Sequence, residues 1–143
     1  MNSIAFAREG ELPAIRRLLA ACSLPHDDFG DGAVTFVVAR EGDAIRGAAG
    51  LEPLGASALL RSVVVEPSSR RHGLARSLCD AAFAHARAMG ARRLYLLTTG
   101  AQRYFERLGF VTVARDSLPV EIRSTSEFRV ACPESATAMA KDL

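Results

Sequence analysis

The stretch from Val63 to Arg76 constrains the fold of this chain more than any other segment. It reads Val-Val-Val-Glu-Pro-Ser-Ser-Arg-Arg-His-Gly-Leu-Ala-Arg. The three valines favour a strand, and Glu66-Pro67 predicts its end because proline cannot donate to a sheet ladder. A basic loop follows, and Gly73 opens an alanine-rich helix that is predicted to run to Met89. Any fold for this chain must therefore join a strand to a helix through a short, positively charged loop.

That loop has the chemistry of an anion site. The first backbone N–H groups of a helix lack partners and the helix dipole favours negative charge there. The small residues Gly73 and Ala75 let a phosphate approach the backbone, and Arg70, Arg71 and Arg76 can neutralise a diphosphate from the sides. Neither GxxxxGK[ST] nor an N-terminal GxGxxG is present, which excludes the two commonest phosphate loops. From spacing alone, an ordinary helix start with a solvated arginine face remains an equal alternative.

Hydrophobic periodicity divides the rest of the chain into strands and helices. Strands are predicted at Ile4–Arg8, Val34–Arg40, Ile45–Leu51, Ala58–Val65, Arg93–Thr98, Phe110–Ala114 and Ser135–Asp142, and helices at Glu11–Cys22, Gly73–Met89, Ala101–Leu108 and Val120–Phe128. Within the last strand, Ala138 and Met139 fit either a strand or a helix. This order predicts an α/β or α+β sheet covered by helices.

Length and composition predict one soluble domain over residues 1–143. No apolar run approaches the roughly 20 residues that span a bilayer, and the N-terminus lacks the pattern of a signal peptide. The three cysteines are odd in number and widely spaced, so neither a disulfide framework nor a metal site is predicted. We therefore expect a cytoplasmic protein that has no membrane partner.

Positive charge is concentrated in one part of the chain. Between Arg61 and Arg93 there are seven arginines against two acids, a local balance of +5, while the remainder carries −3. Such a cluster suits an anionic partner. No nucleic-acid reading motif accompanies it, so the expected partner is a small anionic molecule rather than nucleic acid.

Two motifs carry a resemblance to a known family. Arg70-x-x-Gly73-x-Ala75, preceded by Val65-Glu66-Pro67, resembles the R/Q-x-x-G-x-G/A signature of the GNAT N-acetyltransferases. Downstream, Ala101–Phe110 resembles the family's A-x-x-(aromatic)-(Y/F)-x-x-x-G-F segment. Both motifs stand in the family's order and spacing, and the resemblance covers nearly the whole chain.

The resemblance implies a fold and a cofactor site. It implies the GNAT fold, a mixed and mostly antiparallel sheet of six to seven strands flanked by helices, splayed between the strands ending near Val65 and Thr98. Acetyl-CoA would lie there, with its pantetheine arm along the strand that ends at Val65 and its pyrophosphate on the amides of residues 71–76. The implied cofactor-binding residues are Val63, Val65, Arg70, Arg71, His72, Gly73, Leu74, Ala75, Arg76, Thr98 and Phe105. A substrate amine would attack the thioester directly.

Catalytic residues are less well defined by the motifs. Many members of the family place a tyrosine at the position of Phe105, where it protonates the leaving thiolate. Tyr104 is one residue earlier, about 100° around the helix, and serves as the alternative acid unless it only packs. Glu52, taken to follow the hairpin strand, is the candidate general base, with an exposed loop-edge acid as the alternative.

Three further residues are candidates for binding the acceptor. Arg61 is unusual in an apolar strand and would bind a substrate carboxylate; by strand alternation it shares a face with Val63 and Val65, where it could instead pair with an acid. His26 and Glu127 lie in segments where the family builds its substrate pocket, and they are also weaker options than Glu52 for the general base.

A narrower resemblance concerns the arsenic-resistance-associated GNAT proteins. It rests on Gly50-Leu51-Glu52, Leu59-Leu60-Arg61-Ser62-Val63, Leu96-Leu97-Thr98-Thr99, Thr125-x-Glu127-Phe128 and Cys132-Pro133-x-Ser135-Ala136. We predict acetyl transfer to a small-molecule amine, either amino-acid-like or linked to arsenic resistance. The alternatives are an acetyl-CoA sensor without turnover and a protein or peptide N-acetyltransferase. Family members often dimerise, so a homodimer is left open.

Overall fold

The computed structural model describes residues 2–24, 34–70, 73–125, 128 and 135–143. Its strands are β1 (Asn2–Phe6), β2 (Thr35–Glu41), β3 (Ala44–Leu54), β4 (Ser57–Val65), β5 (Arg93–Thr98), β6 (Val111–Val113) and β7 (Thr137–Asp142). Its helices are α1 (Leu12–Ala21), α2 (Leu74–Ala88), α3 (Gln102–Arg107) and α4 (Val120–Arg123). Short 3₁₀ turns at Pro67–Ser69 and Arg115–Ser117 were not predicted from the sequence.

The seven strands form one sheet in the order β1-β2-β3-β4-β5-β7-β6. Every neighbouring pair is antiparallel except β4 and β5, which run parallel. A parallel pair needs a crossover connection, and α2 provides it. The predicted mixed and mostly antiparallel sheet flanked by helices is confirmed, and the last strand is β7 rather than a helix.

Strand alternation gives the sheet two buried faces. On one face, α2 and α3 cover a core that includes Leu60, Val65 and Met139. On the other face, α1 packs over Val38, Ala48 and Val64, and α4 packs farther along the sheet over Leu59 and Tyr95. The central strands are buried on both faces, which explains why the sequence of β3 and β4 is apolar almost throughout.

Helix α2 owes its position to a period of buried side chains. Its inward residues are Leu74, Leu78, Cys79, Ala82, Phe83 and Ala86, which recur at helical spacing. The helix begins after Gly73, which has a φ of +73° that few other residues adopt. This backbone turn sets the direction in which the first amides of α2 point.

A buried ion pair fastens the first strand and helix to the sheet. The side chain of Arg40 in β2 is 4% exposed and contacts both carboxylate oxygens of Glu11, at 2.6 and 2.8 Å. Arg40 also donates to the carbonyl oxygen of Phe6 at 2.9 Å, and the amide of Arg8 donates to Glu11. These bonds hold the pKa of Glu11 at about 2, chiefly through the hydrogen bond from Arg40.

Two sequence predictions of element length are wrong. Strand β3 continues through Glu52 to Leu54 because its pairing with β4 persists to a tight turn at Gly55-Ala56. Helix α4 ends at Arg123 rather than Phe128, since Ser124 and Thr125 form a turn closed by their hydroxyls on the carbonyls of Val120 and Ile122.

No helix in the described part of the chain is long and apolar enough to cross a membrane.

Candidate active site

Strands β4 and β5 separate partway along their length. They pair only over Ser57–Leu59 and Arg93–Tyr95, although β4 continues to Val65 and β5 to Thr98. Over the described residues, the edge of β4 beyond Leu59 that faces β5 has no strand partner. The predicted splay is therefore present, and its open backbone groups can accept an extended ligand.

A β-bulge in β4 lies beside this gap. Ala48 pairs with Val64 and Gly50 with Arg61, so two residues of β4 stand opposite one residue of β3. Ser62 has a φ of +55°, a strained value for a residue with a side chain. Strain of this kind concentrates at functional sites, and the sequence analysis did not single out Ser62.

The bulge reverses the predicted orientation of Arg61. Strand alternation predicted that Arg61 shares a face with Val63 and Val65, but the extra residue shifts the alternation by one. Val63 and Val65 pack on the α2 face, while Arg61 lies with Leu59 and Val64 on the opposite face. The only sequence signal was the polar Arg61-Ser62 pair interrupting an apolar strand.

Arg61 and Glu52 form a buried ion pair on that opposite face. Arg61 Nη1 donates to Glu52 Oε1 at 2.8 Å, and the two side chains are 0% and 8% exposed. Arg61 Nε also donates to Ser62 Oγ at 3.3 Å, which links the pair to the bulge. Glu52 is thus neither an exposed loop-edge acid nor a residue after the strand. The structure brings the predicted base and the predicted substrate-binding arginine together.

The N-terminus of α2 has the features that a diphosphate requires. No side-chain cap occupies it, and its first turn contains no acidic residue. A Cβ placed on Gly73 would have no heavy atom within 4 Å, so the space above this backbone is open. Leu74 is buried and anchors the helix, and Ala75 is half-buried against the core. These observations fit the pyrophosphate of a coenzyme A ester at this helix end.

Arg70 and Arg76 both contact other residues of the chain. Arg70 Nε donates to the carbonyl oxygen of Val65 at 3.1 Å, and its Nη2 contacts Cys22 Sγ at 3.7 Å. Arg76 pairs along the helix with Asp80 at 3.2 Å. Arg70 therefore folds back on the strand end that precedes the loop, and Arg76 is partly neutralised.

Thr98 ends β5, and Tyr104 and Phe105 lie on α3, the helix that follows it. Thr98 pairs with Thr137 of β7. Phe105 is buried against Phe110 and Tyr104, both in edge-to-face contact. Tyr104 is half-buried, and burial raises its pKa above the ordinary value. A tyrosine hydroxyl that stays protonated at neutral pH is a proton donor rather than an acceptor.

Four predicted site residues lie outside the described residues: His26, Arg71, His72 and Glu127. Within the described ranges, no group of three or more His, Cys, Asp or Glu side chains is arranged to hold a metal ion.

Residues 6–110 match the family model described as the acetyltransferase (GNAT) family. The match covers most of the chain, and the chain belongs to that family. The resemblance based on two motifs is confirmed at this level, together with the predicted enzyme class, an acyltransferase. No curated protein matches the chain significantly.

Solved structures share this fold at low sequence identity. An acetyltransferase of the GNAT family from Staphylococcus aureus superposes with a TM-score of 0.82 at 16% identity, covering 100% of this chain and 99% of that one. A Mycobacterium tuberculosis protein in complex with CoA and a second ligand has a TM-score of 0.82 at 21% identity, covering 99% of each chain. N-acetylglutamate synthase from Neisseria gonorrhoeae, complexed with coenzyme A and N-acetyl-glutamate, has a TM-score of 0.83 at 21% identity. This chain is covered completely in that match but spans only 35% of the synthase.

Proposed function

We propose that this protein transfers an acetyl group from acetyl-CoA directly to the amine of a small, amino-acid-like molecule. The cosubstrate is acetyl-CoA, which supplies the activated acetyl thioester. The observation that carries the proposal is the combination of an uncapped α2 N-terminus at Gly73 with a sheet that opens between β4 and β5. The first feature binds the pyrophosphate and the second binds the pantetheine arm.

Different parts of the chain bind different parts of acetyl-CoA. Amides at the start of α2 bind phosphate oxygens, and unpaired groups of β4, at Val63 in particular, hold the pantetheine arm in an extended form. The gap holds the thioester and the acceptor amine next to each other, so their reaction becomes effectively intramolecular. This proximity is the largest contribution that the protein makes to the rate. The strained bulge at Ser62 exposes backbone groups beside the bound thioester. A hydrogen-bond donor among these groups polarises the thioester carbonyl.

Glu52 and Arg61 define the acceptor that this site prefers. The acceptor amine arrives as an ammonium ion, and Glu52 takes its proton as general base. Arg61 orients the Glu52 carboxylate and offers the positive charge that a carboxylate on the acceptor would seek. A zwitterionic acceptor complements this buried pair of opposite charges, which supports an amino-acid-like substrate. Tyr104, protonated at neutral pH, is the candidate donor to the leaving thiolate.

Calorimetric titration with acetyl-CoA tests the cofactor site. Gly73→Asp should abolish measurable binding, because it puts bulk and negative charge where the pyrophosphate lies. Gly55→Asp is the matched control: Gly55 has the same φ of +73° and equally open surroundings, but it lies in the β3–β4 turn. The control should bind as the wild type does. Normal binding by Gly73→Asp would show that the site is misplaced.

A thiol-release screen of amines and amino acids on the same sample tests turnover. Release of coenzyme A with amino acids supports the proposed acceptor class, and release only with peptides would identify a peptide N-acetyltransferase instead. Binding of acetyl-CoA without release on any amine would favour a sensor. The relation to arsenic resistance stays a prediction from sequence resemblance alone.

A further inference from the structure

A cluster of charged groups holds the strand end that leads into the cofactor loop. Glu66, the first residue after β4, receives two contacts from Arg46 Nη1 of β3, at 2.9 and 3.2 Å. Ser68 Oγ donates to the same carboxylate at 2.6 Å. The Glu66 amide donates to the Arg46 carbonyl oxygen at 2.7 Å. Arg46 therefore binds Glu66 through both its side chain and its backbone.

The cluster extends in both directions along the chain. Arg46 Nη2 also contacts Glu41 at the end of β2, at 3.1 Å. On the loop side, the Ser69 amide donates to the Glu66 carbonyl oxygen at 2.8 Å, which closes the 3₁₀ turn. Arg70 then bonds back to Val65. The first residues of the loop are thus tied to the sheet before the chain reaches Gly73.

We propose that Arg46 is a positioning residue for coenzyme binding: through Glu66 it preorganises the loop that presents the N-terminus of α2 to the pyrophosphate. The inference rests on the proposed function of that site. Arg46 acts through Glu66 and does not itself contact the coenzyme. A loop that is already ordered loses little conformational entropy when the coenzyme binds. The coenzyme therefore binds more tightly.

Calorimetry with acetyl-CoA tests the proposal on wild type, Arg46→Met, Glu66→Gln and the double variant. Each single change should raise the Kd about 5- to 10-fold, the cost of ordering roughly one loop residue. The double variant should be no weaker than either single variant, because both remove the same interaction. Steady-state kinetics should show a raised KM for acetyl-CoA at a similar kcat. Arg46→Lys, which keeps the charge, should recover part of the affinity.

Arg93→Met is the control, since it removes an exposed ion pair with Asp142 at the opposite end of the parallel strand pair. It should leave the Kd unchanged. An unchanged Kd in both Arg46→Met and Glu66→Gln would overturn the proposal, as would an equal loss in Arg93→Met. If Arg46→Met does not fold, Glu66→Gln tests the same contact from the loop side. If the wild type itself binds no acetyl-CoA, the proposed function fails, which is a distinguishable result.

Discussion

Two arginine–glutamate pairs in the same sheet differ in what surrounds them. Glu11 receives two bonds from Arg40 and one from the Arg8 amide. The β1–β2 ladder beside this pair is continuous, although the β2–β3 register shifts at Arg40. Glu52 receives its bond from Arg61 next to a bulge and a gap in the sheet. Both pairs are largely removed from water.

The difference teaches that burial of an ion pair does not reveal its role. A carboxylate saturated by hydrogen bonds where the strands stay paired on both sides holds elements together. A buried carboxylate beside a strained backbone and an opening in the sheet is placed where a reaction can use it. Substitutions at the two pairs should therefore separate stability from catalysis.

Glu52→Gln should have the largest effect. Loss of a general base lowers kcat by about 100-fold or more, and breaking the buried Glu52–Arg61 ion pair destabilises the fold by about 3 kcal/mol. Thiol release under saturating substrates, with folding checked by circular dichroism, measures both. A kcat within twofold of the wild type would show that Glu52 is not the general base. The Glu52–Arg61 pair would then be structural, as the Glu11–Arg40 pair is.

Glu11→Gln should destabilise the protein without changing the chemistry. We expect a loss of about 2 to 3 kcal/mol in the free energy of unfolding, less than for a fully buried pair since the Glu11 side chain is 16% exposed. Urea denaturation measures the loss, and kcat per folded molecule should stay at the wild-type value. A fall in kcat as large as that of Glu52→Gln would contradict the comparison.

Tyr104→Phe tests the other candidate catalytic group, on α3. If Tyr104 protonates the leaving thiolate, kcat should fall about 10-fold, below the usual range for acid catalysis because a coenzyme A thiolate is a good leaving group. The Kd for acetyl-CoA should hardly change. An unaltered kcat would leave Tyr104 as a packing residue against Phe105.

Acid should weaken the Glu11–Arg40 pair as the pH falls from 4.5 to about 2. The pKa of Glu11 is about 2 in the folded protein, below its ordinary value of 4.5, so its contribution is complete above pH 4.5 and is lost as the pH falls toward 2. At pH 3.5 the wild type should have lost about 1 kcal/mol that Glu11→Gln does not lose. Parallel pH dependence in the two proteins would show that the bond to Arg40 is not responsible.

Local sequence patterns predicted most of the secondary structure. The apolar runs of β2, β3 and β4, the helical period of α1 and α2, and the turn residues at Glu66-Pro67 and Gly90 all depend on neighbours in the chain. The candidate cofactor loop could be identified for the same reason, because strand end, arginines, Gly73 and helix start are contiguous. Acetyl transfer followed from two motifs whose spacing matched a family.

The tertiary structure decided what depends on contacts between distant residues. The bulge at Ser62 arises from the register of β4 against β3, and it moved Arg61 to the face opposite the one that alternation predicted. The pairing of Arg61 with Glu52 and of Arg46 with Glu66 joins residues 9 and 20 positions apart. No local pattern specifies such pairs, since each depends on how neighbouring strands align. The sequence by itself thus determined the class of fold and identified a candidate cofactor loop, whereas strand register decided which charged side chains meet, Arg61 with Glu52 and Arg46 with Glu66.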